Sequence, residues 1–87
     1  MTLNFPNRSR SYDPIKRWVS FWGHVSTFEI VFHVDEDALE MMNPHVQRNE
    51  ASLLHVFDVN RVQIERVAVH AYSRRRQSYL SLAASDF

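Results

Sequence analysis

Histidine is the residue type in this sequence with the most chemical capacity, because an imidazole can bind a metal ion or carry a proton near neutral pH. The five histidines are His24, His33, His45, His55 and His70. A zinc site needs several ligands held close together. His55 and His70 lie about 22 Å apart along one predicted helix, and His24 and His33 lie near opposite ends of a predicted strand. We therefore predict no metal site.

Acidic residues cluster at Asp35, Glu36, Asp37 and Glu40. Such a group could bind a cation or dock a partner, but its spacing is not that of a calcium loop and it contains no glycine. A carboxylate followed by further acids is also the ordinary start of a helix, where it caps free N–H groups and suits the helix dipole. We predict the capping role.

Motifs of nucleophilic catalysis and phosphate binding are absent. The sequence has no cysteine, no Gly-x-Ser-x-Gly turn, no glycine-rich loop and no His-Glu-x-x-His pair. Gly23 is its one glycine, which leaves few places where the backbone could approach a ligand closely. We therefore predict a protein that is not an enzyme and that has no catalytic residue and no cofactor.

Basic and aromatic residues offer a possible nucleic-acid site. Arg74, Arg75 and Arg76 could contact phosphates, while bases could stack on an aromatic platform on the outer face of a predicted sheet, formed by Trp18, Trp22 and His33. The opposing interpretation is a helix C-terminus at which cations stabilise the dipole. The formal net charge of zero also argues against a nucleic-acid partner. Nucleic-acid binding is therefore the alternative function.

The stretch from Asn49 to about Arg76 has no Gly or Pro and predicts one long amphipathic helix. Ile64 lies at the centre of its apolar face, with Phe57 and Asn60 beside it. A second row runs along the far side, and it comprises Val59, Val62, Arg66 and Val69. Such a row is typical of a helix–helix contact in a homodimer. The short helix at position 36 could instead cover the row within one chain.

The remaining elements cover the long helix. We predict strands at 3–5, 16–22, 27–34 and 78–82, a hairpin turn at Gly23, and a short helix from Glu36 to about Met42. Residues 7–14 are predicted as loop and turn. The sequence thus predicts an α+β fold with an antiparallel sheet of about four strands and two helices, in the order β-β-β-α-α-β. Phe57 and Ile64 should pack on the face that carries Phe28, Ile30 and Phe32.

Length and composition limit the class of protein. A chain of 87 residues is one domain, 1–87. The absence of cysteine favours the cytoplasm. The N-terminus lacks a basic segment followed by an apolar run, so we predict no signal peptide. No apolar stretch is long enough to span a membrane. We predict a cytoplasmic, non-enzymatic interaction or regulatory domain that self-associates or binds a protein.

Several short motifs, in this order, resemble the small bacterial proteins grouped as domain of unknown function 1488. The motifs are Leu3-Asn4-Phe5-Pro6, Ser11-Tyr12-Asp13, Val19-x-Phe21, a helix with Phe57, Arg61 and Ile64, and Leu80-x-Leu82-x-x-x-Asp86-Phe87. The resemblance covers essentially the whole chain. It implies a small cytoplasmic α+β domain with an antiparallel sheet, and it implies no activity and no catalytic residue.

Overall fold

A five-stranded mixed sheet forms one layer of the protein, in a computed structural model that describes residues 2–87. The strands are β1 Leu3–Asn4, β2 Arg10–Asp13, β3 Trp18–Val25, β4 Phe28–Asp35 and β5 Tyr79–Leu82. β3 and β4 form a long antiparallel hairpin. β1 and β2 both pair antiparallel with the free side of β3, whereas β5 pairs parallel with β4.

Three α-helices form the second layer over this described range. They are α1 Glu36–Met42, α2 Glu50–Val59 and α3 Arg61–Arg75, and a short 3₁₀ turn follows at Ala84–Asp86. None of these helices is long and apolar enough to cross a membrane.

The predicted α+β class is confirmed, but the predicted antiparallel sheet of about four strands with two helices is wrong. The chain leaves β4 at Asp35, passes through all three helices and returns to the end of the sheet at which β4 begins, so β5 runs parallel to β4. The extra strand, β2, lies where we predicted loop and turn. Its four residues are Arg-Ser-Tyr-Asp, which lack the apolar alternation that marks a strand.

The predicted long helix is divided at Asn60, which gives the third helix. Asn60 has φ −104° and ψ 15°, outside the usual helical geometry. Its side-chain Nδ2 donates to the Val56 carbonyl at 2.9 Å. An asparagine that binds the backbone in this way competes with regular helix geometry.

Gly23 lies inside β3 and not at the hairpin turn, where we had predicted it. A Cβ on Gly23 would lie 2.8 Å from Leu3 Cδ1 and 3.0 Å from Phe5 Cε1, so the glycine is needed for close packing. The turn is formed by Ser26 and Thr27, and Ser26 adopts the left-handed conformation with φ 57°.

The core lies between the helices and one face of the sheet. Phe57 and Ile64 are completely buried, as predicted, and the Phe57 ring packs on Phe21 with centroids 5.3 Å apart. Ile30 and Phe32 are buried on the facing strand. Phe28 was predicted to join them, but it is 70% exposed at the end of the hairpin.

Candidate functional site

The sheet has one face covered by helices and one face without a covering layer. Side chains alternate along β3, so that Val19 and Phe21 are buried while Trp18, Ser20 and Trp22 keep partial exposure. We call the uncovered side the open face. Its outward strand positions are Asn4, Ser11, Asp13, Trp18, Ser20, Trp22, His24, Glu29, Val31, His33, Asp35, Tyr79 and Ser81.

A stack of three rings lies at the centre of the open face. The Trp18 ring lies over His33 with centroids 4.0 Å apart and planes 16° apart, and the Tyr79 ring lies 4.6 Å from His33 at 60°. His33 Nδ1 forms a hydrogen bond of 2.8 Å with Ser20 Oγ. His33 is 6% exposed, and its Nε2 is buried with no hydrogen-bond partner among the described residues.

The electrostatic state of His33 follows from this packing. Burial disfavours the imidazolium and lowers the pKa of His33 below its ordinary value, against an opposing effect of the nearby Asp13 carboxylate. The imidazole is therefore neutral at physiological pH. A neutral, buried ring supports the rings of Trp18 and Tyr79 without placing a positive charge beneath them.

The second predicted surface is the row of Val59, Val62, Arg66 and Val69, which we call the valine row. Val59 ends α2, while the other three lie on α3, so the premise of a single helix is wrong. The three valines are 68%, 70% and 43% exposed, and Arg66 is exposed as well. The short helix α1 therefore does not cover the row, and the row is available to another molecule.

The arginine cluster predicted for phosphate binding is partly used within the chain. Arg75 donates to the Ser81 carbonyl at 3.0 Å and to Asp86 Oδ1 at 2.6 Å. The Arg76 guanidinium lies 5.8 Å from the centroid of the Tyr72 ring, and Arg74 is exposed. None of these described contacts joins the arginines to Trp18 or Trp22.

The acidic cluster forms a structural network, with Glu36 as its buried member. Asp35 caps α1 by accepting the Ala38 N–H, as predicted. Glu36 is 2% exposed. Its carboxylate accepts hydrogen bonds from Tyr12, Arg17 and Arg48.

The Glu36 carboxylate remains ionised in this buried position. Burial alone would raise the pKa of Glu36, but the hydrogen bonds from these three residues outweigh it and hold the pKa below its ordinary value. No group of three metal-binding side chains occurs among residues 2–87.

Several of these contacts have no local signal in the sequence. Arg61 is 7% exposed, and its Nη1 donates to the backbone carbonyl of Arg8, which is 53 residues away in the sequence. The His33 stack also joins three separate strands. Sequence reasoning placed Trp18, Trp22 and His33 on the outer face of the sheet, but it did not identify Tyr79.

The family of the chain follows from a comparison of sequences. The profile of the family described as "Protein of unknown function (DUF1488)" matches residues 3–82. The match spans most of the 87 residues, so the chain belongs to this family, and the resemblance drawn from the short motifs is confirmed. No curated protein and no solved structure matches the chain.

Proposed function

We propose that this member of the family is a small non-enzymatic interaction domain that forms a homodimer through the valine row. The observation that carries the proposal is the exposure of Val59, Val62 and Val69, at 68%, 70% and 43%, on the helical layer. Each is a β-branched apolar residue next to others of its kind, and contiguous apolar surface of this sort marks interaction sites.

A two-fold arrangement suits the row. When α3 packs against its own copy, Val62 and Val69 of one chain face the same row of the other, and the contact is self-complementary. Arg66 lies between the two valines and needs an acidic partner. Asp58 is half exposed while it binds Arg10 of its own chain, so its carboxylate has room for a second arginine.

The proposal assigns no reaction and no cofactor to the protein. We also propose that it acts in the cytoplasm, in keeping with a chain that contains no cysteine. Fractionation of native cells, with detection of the untagged protein, tests that location. Recovery of the protein outside the cytoplasmic fraction would contradict it.

Nucleic-acid binding is the second candidate, and the exposed aromatic surface around Trp18 and Trp22 favours it. Two observations weigh against it. Arg75 and Arg76 are engaged within the chain, and the formal net charge is zero. A nucleic-acid interface needs cations to neutralise phosphates, so we rank this function below self-association.

The experiment that tests the proposal is the measurement of mass in solution by sedimentation. The comparison is between wild type and a variant with Val62→Glu and Val69→Glu. Both residues are exposed in the single chain, so the substitutions leave the core intact. Titration with labelled single-stranded RNA at several salt concentrations tests the second candidate, because phosphate contacts weaken steeply as salt rises.

A further inference from the structure

The open face carries ring surface that the chain itself does not cover. Tyr79 is 54% exposed, and Trp18 and Trp22 are partly exposed. Tryptophan and tyrosine are the residues most enriched at the energetic centres of protein interfaces. The Trp18 ring is already held in place by its stack on His33, so a partner would bind it at little cost in side-chain entropy.

The formally charged side chains at the outward positions of the described strands are Asp13, Glu29 and Asp35, and all three are acidic. Asp13 pairs with Trp18 across β2 and β3, so both side chains lie on this face. Glu29 pairs with His24 across β3 and β4 and is about half exposed. No lysine or arginine occupies an outward strand position in the described part of the chain.

Asp13 is a carboxylate with a fixed orientation. Its Oδ1 accepts the backbone N–H groups of Ile15 and Lys16 at 2.9 and 3.0 Å. These bonds, led by the one from Lys16, lower the pKa of Asp13 below its ordinary value. The side chain is therefore ionised and held at the edge of the ring stack, while Oδ2 has no partner among the described residues.

We infer that the open face is a docking surface for an arginine-bearing segment of a protein partner. A guanidinium stacks on tryptophan or tyrosine rings and donates to carboxylates at the same time. On the open face, Trp18 lies directly opposite Asp13. Trp22 lies on the same face, two residues before His24, which pairs with Glu29. His33 Nε2 is a further polar group, and it has no hydrogen-bond partner among residues 2–87.

This chemistry separates the inference from the two nearest alternatives. The phosphates of a nucleic acid would lie against carboxylates on this face, and no lysine or arginine occupies its described strand positions, so the face disfavours nucleic acid. Lysine has a compact, strongly hydrated charge and lacks the planar group that stacks on rings, so arginine fits better. The inference goes beyond the proposed function and does not depend on self-association, because the valine row lies on the helices.

The test uses the full chain and three fluorescein-labelled peptides in which glycine alternates with arginine, lysine or glutamate. Anisotropy measures binding, and labelled oligothymidine is the nucleic-acid probe. We expect the arginine peptide to bind more tightly than the lysine peptide, and the glutamate peptide and oligothymidine not to bind. We expect Tyr79→Ala to weaken the binding of the arginine peptide about fivefold, because one cation–π contact contributes about 1 kcal/mol.

Matched controls separate the open face from general effects. Phe28→Ala removes another exposed ring, 70% exposed but on the other side of the sheet, and should leave binding unchanged. Glu29→Gln should weaken binding, whereas Glu50→Gln, at the start of α2, should not. Circular dichroism confirms that each variant is folded. The variant with Val62→Glu and Val69→Glu should bind the peptide like wild type, since dimer and docking surfaces are separate.

Three results would overturn the inference. One is an arginine peptide that does not bind folded wild type. Another is equal binding of the arginine and lysine peptides with no effect of Tyr79→Ala or Glu29→Gln, which indicates general charge attraction. The third is tighter binding of oligothymidine than of the arginine peptide, which would assign the open face to nucleic acid. None of these results bears on the oligomeric state.

Discussion

The indole ring of Trp18 lies flat on the imidazole ring of His33, with centroids 4.0 Å apart and planes only 16° apart. The two residues stand on neighbouring strands, and Ser20 Oγ holds the imidazole from its Nδ1 side. This contact organises the open face, because it buries His33 and presents the tryptophan ring. It also links the stability of the fold to the protonation of one histidine.

The first prediction is that the fold loses stability as pH falls below the ordinary histidine pKa of 6.5. Burial lowers the pKa of His33 in the folded state, so between the two values the unfolded chain binds the extra proton. The contribution of neutral His33 to stability is complete above pH 6.5 and declines as pH falls from 6.5 to the pKa of His33 in the folded state. Melting curves at about pH 7.5 and pH 5.5 measure the effect.

His33→Phe keeps an aromatic ring in the stack and removes the titration. This variant should show a much smaller loss of stability over the same pH interval. An unchanged pH dependence in His33→Phe would show that another group is responsible. His70→Phe, at an exposed position of α3, is the matched control and should behave like wild type.

The second prediction concerns the buried carboxylate of Glu36. Glu36→Gln should lower the free energy of unfolding by about 2–3 kcal/mol, because hydrogen bonds from Arg17, Arg48 and Tyr12 then go to a neutral acceptor. Glu40→Gln, at an exposed position on the same helix, should cost much less. Chemical denaturation of both variants gives the comparison, and equal losses would contradict the structural role of Glu36.

The pH dependence of the same group lies in a separate, more acidic range. The pKa of Glu36 is lowered from 4.5 in the folded state, so its contribution to stability is present above that value and is lost as pH falls through the folded pKa. The acid limb below pH 4.5 should therefore become shallower in Glu36→Gln.

The third prediction concerns the break between α2 and α3. Asn60→Leu should lower stability by about 1 kcal/mol, because the variant loses the hydrogen bond to the Val56 carbonyl and gains no room in a half-buried site. Gln63→Leu, at an exposed position on α3, serves as the control. A more stable Asn60→Leu variant with unchanged assembly would show that the asparagine has neither a structural nor a specificity role.

The fourth prediction concerns Arg75 and the free edge of β5. The Ser78 carbonyl accepts the Val31 N–H and therefore points toward β4. Carbonyl groups alternate in direction along a strand, so the Ser81 carbonyl, three residues later, points to the free edge. Arg75 donates a hydrogen bond to it there. An uncovered edge strand can pair with other chains. Arg75→Ala should therefore aggregate faster on heating than Arg74→Ala, as measured by light scattering. Equal rates would contradict this role.

Local patterns predicted the parts of the fold that depend on neighbouring residues. The bounds of α1, the alternation in β3 and β4, and the burial of Phe57 and Ile64 all follow from periodicity and capping. The predicted turn at Gly23 was wrong because a glycine can serve either a turn or close packing. The sequence does not show that Leu3 and Phe5 pack against this glycine. The break between α2 and α3 at Asn60 was also not predicted, because the sequence does not show the bond from its side chain to the Val56 carbonyl.

Contacts between distant residues could not be predicted. β2 is polar because its inward residues have remote partners, Asp58 for Arg10 and Glu36 for Tyr12, and these lie in the helices. The parallel pairing of β5 depends on the path of the whole crossover. Of the candidate surfaces, the valine row and the two tryptophans were visible from periodicity, whereas Tyr79 joins the stack through tertiary structure.

The most direct test of the proposed self-association compares the sedimentation mass of wild type with that of the variant carrying Val62→Glu and Val69→Glu. The matched control carries Gln63→Glu and His70→Glu, which have the same spacing on α3 at exposed positions beside the valine row. The account predicts that wild type and the control sediment as dimers and that the valine variant sediments as a folded monomer. Wild type that is monomeric at about 100 μM, where even a weak dimer would be populated, would contradict it.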